Sequence, residues 1–260
     1  MTERREDGRP GRRGRTEPRH RLDGGLSRRD LIRLAATAAG GAALGACGWR
    51  GGPLEPALRG VSRWNDVVGE ALMSPRRLAR EYPLDRRTPD RAFPAYSRTR
   101  PLSRLALADP AGWALEVGGL VREPLRLTRP MLEALPRITY TVKHHCVEGW
   151  TAIGTWTGVP FAAVAALAEP LPAARFLRFD SFDAGYFNGF DLESAFHPQT
   201  ILAYAFNDRP LGVDHGAPLR LYAPTKLGYK MTKYLTRVTF TAERPGGYWE
   251  DRGYPWHAGI

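Results

Sequence analysis

The chain has 260 residues, with 38 Lys and Arg against 27 Asp and Glu, a formal net charge of +11, and two cysteines. Two cysteines without a C-x-x-C pair cannot complete a typical structural zinc site, and the basic residues form no dense run such as a nucleic-acid-binding arm needs, so no nucleic acid is expected as a partner. Residues 1–46 hold 11 Arg and 6 acidic residues, so only +6 of the charge belongs to residue 47 onward, a surplus suited to an anionic cofactor or a membrane surface.

In chain order, Ser27-Arg28-Arg29-Asp30-Leu31-Ile32-Arg33 precedes a weakly apolar run of 13 residues, 34–46. Spanning a bilayer as a helix takes roughly 20 residues, so this run reads as the apolar part of an export signal. Paired arginines, an apolar run and small residues, in that order, give a twin-arginine signal over 1–46. Leu44-Gly45-Ala46-Cys47 looks like a lipoprotein-processing site, which makes Cys47 a candidate lipid anchor. The expected location is the periplasm or the extracytoplasmic face of the membrane. That route carries folded proteins, often after a cofactor has been inserted in the cytoplasm, so a cofactor is expected rather than a disulfide framework. Cys146 is then left without a disulfide partner.

About 210 residues remain, enough for one well-formed core. Residues 47–84 read as an Arg/Pro-rich linker or wrapping segment and 85–260 as one domain. Trp113, Leu115 and Val117 alternate ahead of Gly118-Gly119, and similar short runs occur at 138–142, 175–179, 219–222 and 235–241; these predict strands. Thr128-Arg129-Pro130 opens a short helix through Leu135 with Thr128 as its cap, and Val159-Pro160 opens an apolar helix through Ala168. The expected fold class is α+β: a single domain, mixed and mostly β. There is no internal repeat, no G-x-G-x-x-G and no P-loop, which argues against a nucleotide-binding α/β domain.

Cys146 lies in Lys143-His144-His145-Cys146-Val147-Glu148-Gly149-Trp150. A strand running into it puts His144 and Cys146 on one face and His145 on the other. Lys143 and the imidazoles are expected to favour the thiolate. On spacing alone three readings stay open: a nucleophile paired with His for acyl transfer, a ligand to a soft or redox-active metal, and a small buried apolar residue.

Six short motifs then occur in order: Trp113-Ala-Leu-Glu-Val-Gly-Gly-Leu-Val121, Cys146-Val-Glu-Gly-Trp150, Trp156-Thr-Gly-Val-Pro160, Leu202-Ala-Tyr204, His215-Gly-Ala-Pro-Leu-Arg220 and Gly228-Tyr-Lys230. Over residues 85–257 the chain resembles the sulfite-oxidase-type molybdopterin enzymes, and within them the bacterial branch that contains the catalytic subunit of periplasmic protein-methionine-sulfoxide reductase. The resemblance implies Mo-molybdopterin as cofactor, with two sulfurs supplied by the pterin and one by the protein. It makes Cys146 the molybdenum ligand and the catalytic residue, with His144 in contact with the metal's surroundings or the pterin. His215 and Arg220 match the pterin-binding segment, Met231, Thr232 and Lys233 (after Lys230) the segment that follows, and Ser181 the place of a hydroxyl near the cofactor.

Two stretches depart from that branch. Thr88-Pro89-Asp90-Arg91-Ala92-Phe93-Pro94 stands where an Asn and aromatics are usual, so Asp90 and Phe93 are the cofactor contacts carried over there. His215 stands where the branch has an amide residue. Tyr248 or Tyr254 corresponds to an active-site tyrosine or else packs a strand edge. The implied activity is oxygen-atom transfer, most simply reduction of an S-oxide or N-oxide such as methionine sulfoxide. The alternatives are sulfite oxidation and a redox-inactive binding protein of the same fold. With no C-x-x-C-H haem site, iron–sulfur cysteines or flavin fingerprint, electrons must come from a partner, a haem-bearing membrane or soluble cytochrome.

Overall fold

The computed structural model describes residues 60–61, 63–64, 66–69, 77–96 and 112–260; the export signal and Cys47 lie outside them. The described residues all belong to one compact unit, Gly51–Ile260. Its strands are β1 (Ala114–Gly119), β2 (Leu125–Thr128), β3 (Ile138–His145), β4 (Thr151–Pro160), β5 (Phe176–Ser181), β6 (Phe187–Asp191), β7 (Ile201–Phe206), β8 (Arg209–Pro210), β9 (Arg220–Tyr222) and β10 (Leu235–Thr241). The short helices are α1 (Arg129–Glu133), α2 (Phe161–Ala168) and α3 (Leu192–Ala195).

The strands form two sheets. One has the order β2-β1-β10-β5-β6, and the other β3-β4-β7-β8 with β9 added to β7. Every pairing is antiparallel except that of β1 with β10, where Glu116 to Gly119 register with Arg237 to Phe240. Alternation drives the first sheet: β1 buries Leu115 and Val117 and turns Glu116 outward. With Phe161, Val164, Phe179 and Phe240 they form one core; Tyr140, Val142, Trp156, Ile201 and Tyr222 form a second across β3, β4, β7 and β9. Each such side chain contributes about 1.5–3 kcal/mol when fully buried.

Several boundaries differ from the sequence expectation. The strand at 138–142 continues to His145, and that at 175–179 is displaced to end at Ser181. Val159 and Pro160 stay in the ladder opposite Leu202 and Ile201, so α2 starts only at Phe161. Thr128 remains paired with Ala114 and gives α1 no side-chain cap, and α1 stops at Glu133 rather than Leu135.

Strand ends set the site. β3 ends at His145, β5 at Ser181, β9 begins at Arg220 and β10 follows Tyr234. Residues 77–96 grip the β3–β4 hairpin, with Tyr82 N–H donating to Thr141 O at 2.8 Å, and Thr88 N–H donating to Ile153 O at 2.9 Å. That path delivers Phe93 into the second core, 4.9 Å from the Phe206 ring centroid.

Candidate active site

Immediately after β3 the chain turns back on itself. Gly149 N–H donates to Cys146 O at 3.1 Å and Cys146 N–H to Trp150 O at 3.0 Å, with Gly149 at φ +90°, a conformation that glycine adopts without steric cost. The turn presents the Cys146 thiol to a cavity of about 320 Å³. Glu148 closes one side: its Oε2 accepts from Trp150 Nε1 at 3.0 Å and lies 3.9 Å from Cys146 Sγ.

Of the residues singled out in the sequence, Phe93, His144, Cys146, Ser181, His215, Arg220, Met231 and Lys233 line this one cavity. Asp90 does not. It is exposed on a single 3₁₀ turn, and its carboxylate takes a hydrogen bond from Asn207 Nδ2 at 2.5 Å. Thr232 is also outside the wall, wholly buried with its hydroxyl donating to Asn188 Oδ1 at 2.9 Å, so its role is to fix the loop between Met231 and Lys233. Lys230 is consumed inside the core by Glu250 at 2.6 Å and the carbonyls of Gly189 and Trp256. His145 faces a different groove, as strand alternation requires. Of the two tail tyrosines, Tyr254 lines the cavity, while Tyr248 stacks on Tyr186 at 5.4 Å.

The polar groups of the cavity are arranged for a negatively charged guest. Arg220 is only 3 % exposed, yet among the described residues its guanidinium hydrogen-bonds only main-chain carbonyls, those of Leu221, His215 and Met231 at 3.4, 2.9 and 3.3 Å. Lys233 Nζ likewise donates to the carbonyls of Tyr96 and Asp214. Burial, then the repulsion of Arg220, lowers the Lys233 ammonium to about 7, and burial brings Arg220 down to about 10. Burial followed by Arg220 and Lys233 also depresses His144 to about 3 and His215 to about 4, so both imidazoles are neutral at pH 7. His144 is sandwiched by Trp150 and Tyr222 at 5.5 and 5.9 Å, and its buried Nδ1 has no hydrogen-bond partner among the described residues. A buried polar atom without a partner costs about 1–3 kcal/mol, and an anion with acceptor and donor groups relieves both that cost and the mutual repulsion of the cations.

The thiol itself corrects one expectation. Burial pushes the Cys146 thiol above its ordinary value, the Glu148 carboxylate adds to that while the main-chain hydrogen bonds from Glu148 and Val147 oppose it, and Lys143 sits 5.4 Å from the Tyr82 ring in the other groove. The side chain therefore lacks the cationic setting that activates a catalytic cysteine, and among the described residues its hydrogen bond is to Glu148 rather than to an imidazole. A metal ion ionises a thiol outright, so this environment suits a ligand and not an acyl-transfer nucleophile.

Asp183, Tyr186 and Tyr234 also line the wall and were not singled out in the sequence, while Tyr229 falls in the Gly228-Tyr-Lys230 motif and Trp249 in the aromatic tail. Asp183, Tyr186 and Tyr234 come from loops between strands, with no periodicity to mark them.

The family described as oxidoreductase molybdopterin binding domain matches residues 102–249. A relative from Azospira oryzae, named putative protein-methionine-sulfoxide reductase subunit YedZ1, is 39% identical over 206 residues, which cover 79% of this chain and 77% of the relative. The protein-methionine-sulfoxide reductase catalytic subunit MsrP of Campylobacter jejuni is 28% identical over 154 residues, 53% of this chain and 52% of its own length, so the chain matches about half of that relative. Among solved structures, the sulfane dehydrogenase SoxCD from Paracoccus pantotrophus superposes with a TM-score of 0.50 at 25% identity, over 52% of this chain and 39% of that one. A half-buried thiol that shares one cavity with the cations Arg220 and Lys233, both donating to main-chain carbonyls, suits a phosphate-bearing, sulfur-donating pterin, and the chain belongs to the oxidoreductase molybdopterin-binding family as a molybdenum-dependent oxidoreductase holding Mo-molybdopterin.

Proposed function

We propose that the protein reduces S-oxides, with the methionine sulfoxide of exported proteins as the substrate class. The observation that carries this reading is the Glu148 carboxylate 3.9 Å from Cys146 Sγ in a cavity walled by Tyr96, Trp150, Trp249 and Tyr254. Sulfite arrives as an anion and would meet that carboxylate, whereas a sulfoxide and its thioether product are neutral and make favourable contacts with aromatic rings. The names of the Azospira and Campylobacter relatives support the same direction.

When bound, the cofactor supplies oxygen-atom transfer, in which the S–O bond breaks and two electrons and two protons leave a thioether and water. Cys146 Sγ is the protein's ligand to the metal. Arg220 and Lys233 hold the cofactor's anionic portion, and His144, neutral and clamped between rings, offers Nδ1 as a fixed polar contact. Trp150, anchored through Nε1 to Glu148, keeps a flat apolar wall against the thiol and limits water at the reacting sulfur.

The twin-arginine sequence supports export to the periplasm or the extracytoplasmic face, with Cys47 as a lipid anchor, and a haem-bearing membrane or soluble cytochrome as electron donor. Purified, molybdenum-loaded protein with a reduced dye should consume free and peptide-bound methionine sulfoxide. Oxidation of sulfite with ferricyanide at a higher kcat/KM than sulfoxide reduction would reverse the assignment. Fatty-acid labelling abolished by Cys47→Ala checks the anchor.

A further inference from the structure

A second and larger cavity, about 980 Å³, opens on the opposite side of β3. Alternation along one stretch of chain divides the two: His144 and Cys146 line the active-site cavity, while Lys143 and His145 line this groove. Its charge is lopsided. The cationic side chains Arg77, Arg80, Lys143, Arg175, Lys226 and Arg244 face only two acidic ones, Asp191 and Glu193. Asp191 is already engaged. It caps α3 through Ser194 N–H at 2.6 Å and Ser194 Oγ at 2.7 Å, and its Oδ2 stands 4.0 Å from Lys226 Nζ. Asp66, behind the wall, accepts the N–H groups of Trp256 and His257 at 3.0 and 2.9 Å and lies 3.5 Å from Arg244. Arg77, Arg80, Arg175 and Arg244 are exposed at the rim, so a negatively charged surface can reach them.

Electrons have to enter from outside. The sequence carries no C-x-x-C-H site, and the described residues hold no group of three or more His, Cys, Asp or Glu side chains placed to bind a further metal. The groove brings a partner close to the metal ligand without using the substrate's entrance. His145 lines the groove and a single peptide bond joins it to Cys146, so the route from surface to thiolate is covalent. We infer that this groove is the docking surface of the electron donor, a protein whose contact face is acidic. The inference rests on the oxidoreductase reading above, and it separates the two ends of the reaction: substrate enters on one side of β3 and electrons on the other.

The test uses the full, molybdenum-loaded protein, a reduced flavodoxin as an acidic protein donor, and a small neutral reductant as control. Cofactor reduction is followed by stopped-flow absorbance without sulfoxide, so failure of the substrate assignment leaves the measurement intact. With flavodoxin the second-order rate should fall steeply as ionic strength rises. The double substitution Arg77→Glu/Arg175→Glu should lower it at low salt on the order of tenfold and remove most of the salt dependence. With the small reductant, wild type and variant should agree within about twofold, which shows that the variant is folded and loaded. A flavodoxin rate indifferent both to salt and to the substitutions would overturn the proposal. So would an indifferent rate accompanied by a rise in thermal midpoint with inorganic phosphate at constant ionic strength, lost in the variant, which would make the groove a small-anion site.

Discussion

A methyl group on Gly228 would stand 2.5 Å from Nε2 of His144. Trp150, Tyr222 and Phe93 flank the ring at 5.5, 5.9 and 5.8 Å, which leaves the cavity it lines as the side open to it. Gly228→Ala should therefore displace the imidazole into the cavity at a cost of about 1–3 kcal/mol, seen as a matching loss in cofactor retention with little change in the far-UV spectrum. Full molybdenum content in that variant, measured by elemental analysis, would show that His144 does not shape the site.

Cofactor-free protein should alkylate slowly at Cys146. Burial, with the Glu148 carboxylate adding to it, raises the thiol above its ordinary value, so iodoacetamide should react more slowly than with a free cysteine at the same pH. Glu148→Gln removes a negative charge 3.9 Å away and should speed the reaction, whereas Lys143→Gln should leave it unchanged because Lys143 faces the other groove. Cys146→Ser should keep its fold and lose the protein sulfur from the metal's X-ray absorption spectrum, along with turnover.

The ion pair between Lys230 and Glu250 is almost fully buried, at 1% and 3% side-chain exposure. Lys230→Met leaves a carboxylate inside the core and should cost about 3–5 kcal/mol in urea unfolding. Lys230→Met/Glu250→Leu should recover part of that loss, though not all, since Asn188 Nδ2 and the carbonyls of Gly189 and Trp256 lose partners as well.

Acid should destabilise the cofactor-free protein earlier than its carboxylates predict. His144 and His215 are neutral when folded down to about 3 and about 4, while the unfolded chain takes up protons on both near 6.5. The unfolded state thus binds more protons between about pH 6.5 and 3, and stability present at neutral pH is lost as pH falls through that window. The thermal midpoint of wild type should drop across pH 6.5 to 4, and His215→Gln should flatten part of the slope. A parallel slope in that variant would remove His215 from the explanation.

Much of the chemistry was legible in the sequence because it is carried by residues next to strand ends. Alternation alone put His144 and Cys146 on one wall and His145 on another, and the Gly228 and His215–Arg220 segments flank the same cavity. Asp90 shows where such reading stops. It was carried over from a stretch that departs from the family's cofactor segment, and Asn207, 117 residues away, takes its carboxylate; nothing local encodes that partner. The charge state of Cys146 was misjudged for a related reason: Lys143 is close in sequence and on the wrong face, while Glu148, two residues on, folds back beside the sulfur. β4 and β7, fully embedded in their sheet, carried too little alternation to be told from helix or loop.

In the first sheet β10 lies between β1 and β5, bonded to both, although it is made more than 50 residues after β5. During synthesis β1 and β5 therefore wait on the ribosome with no strand between them, and the sheet closes only when the last one emerges. Ser181 and Lys233, which end β5 and precede β10 and whose Ser181 Oγ to Lys233 O bond is 2.8 Å, meet only at that moment. The pterin pocket is thus a late structure: the cofactor has no complete receptor until β10 has joined the sheet, and a chain that stops anywhere before Leu235 is unable to take it up.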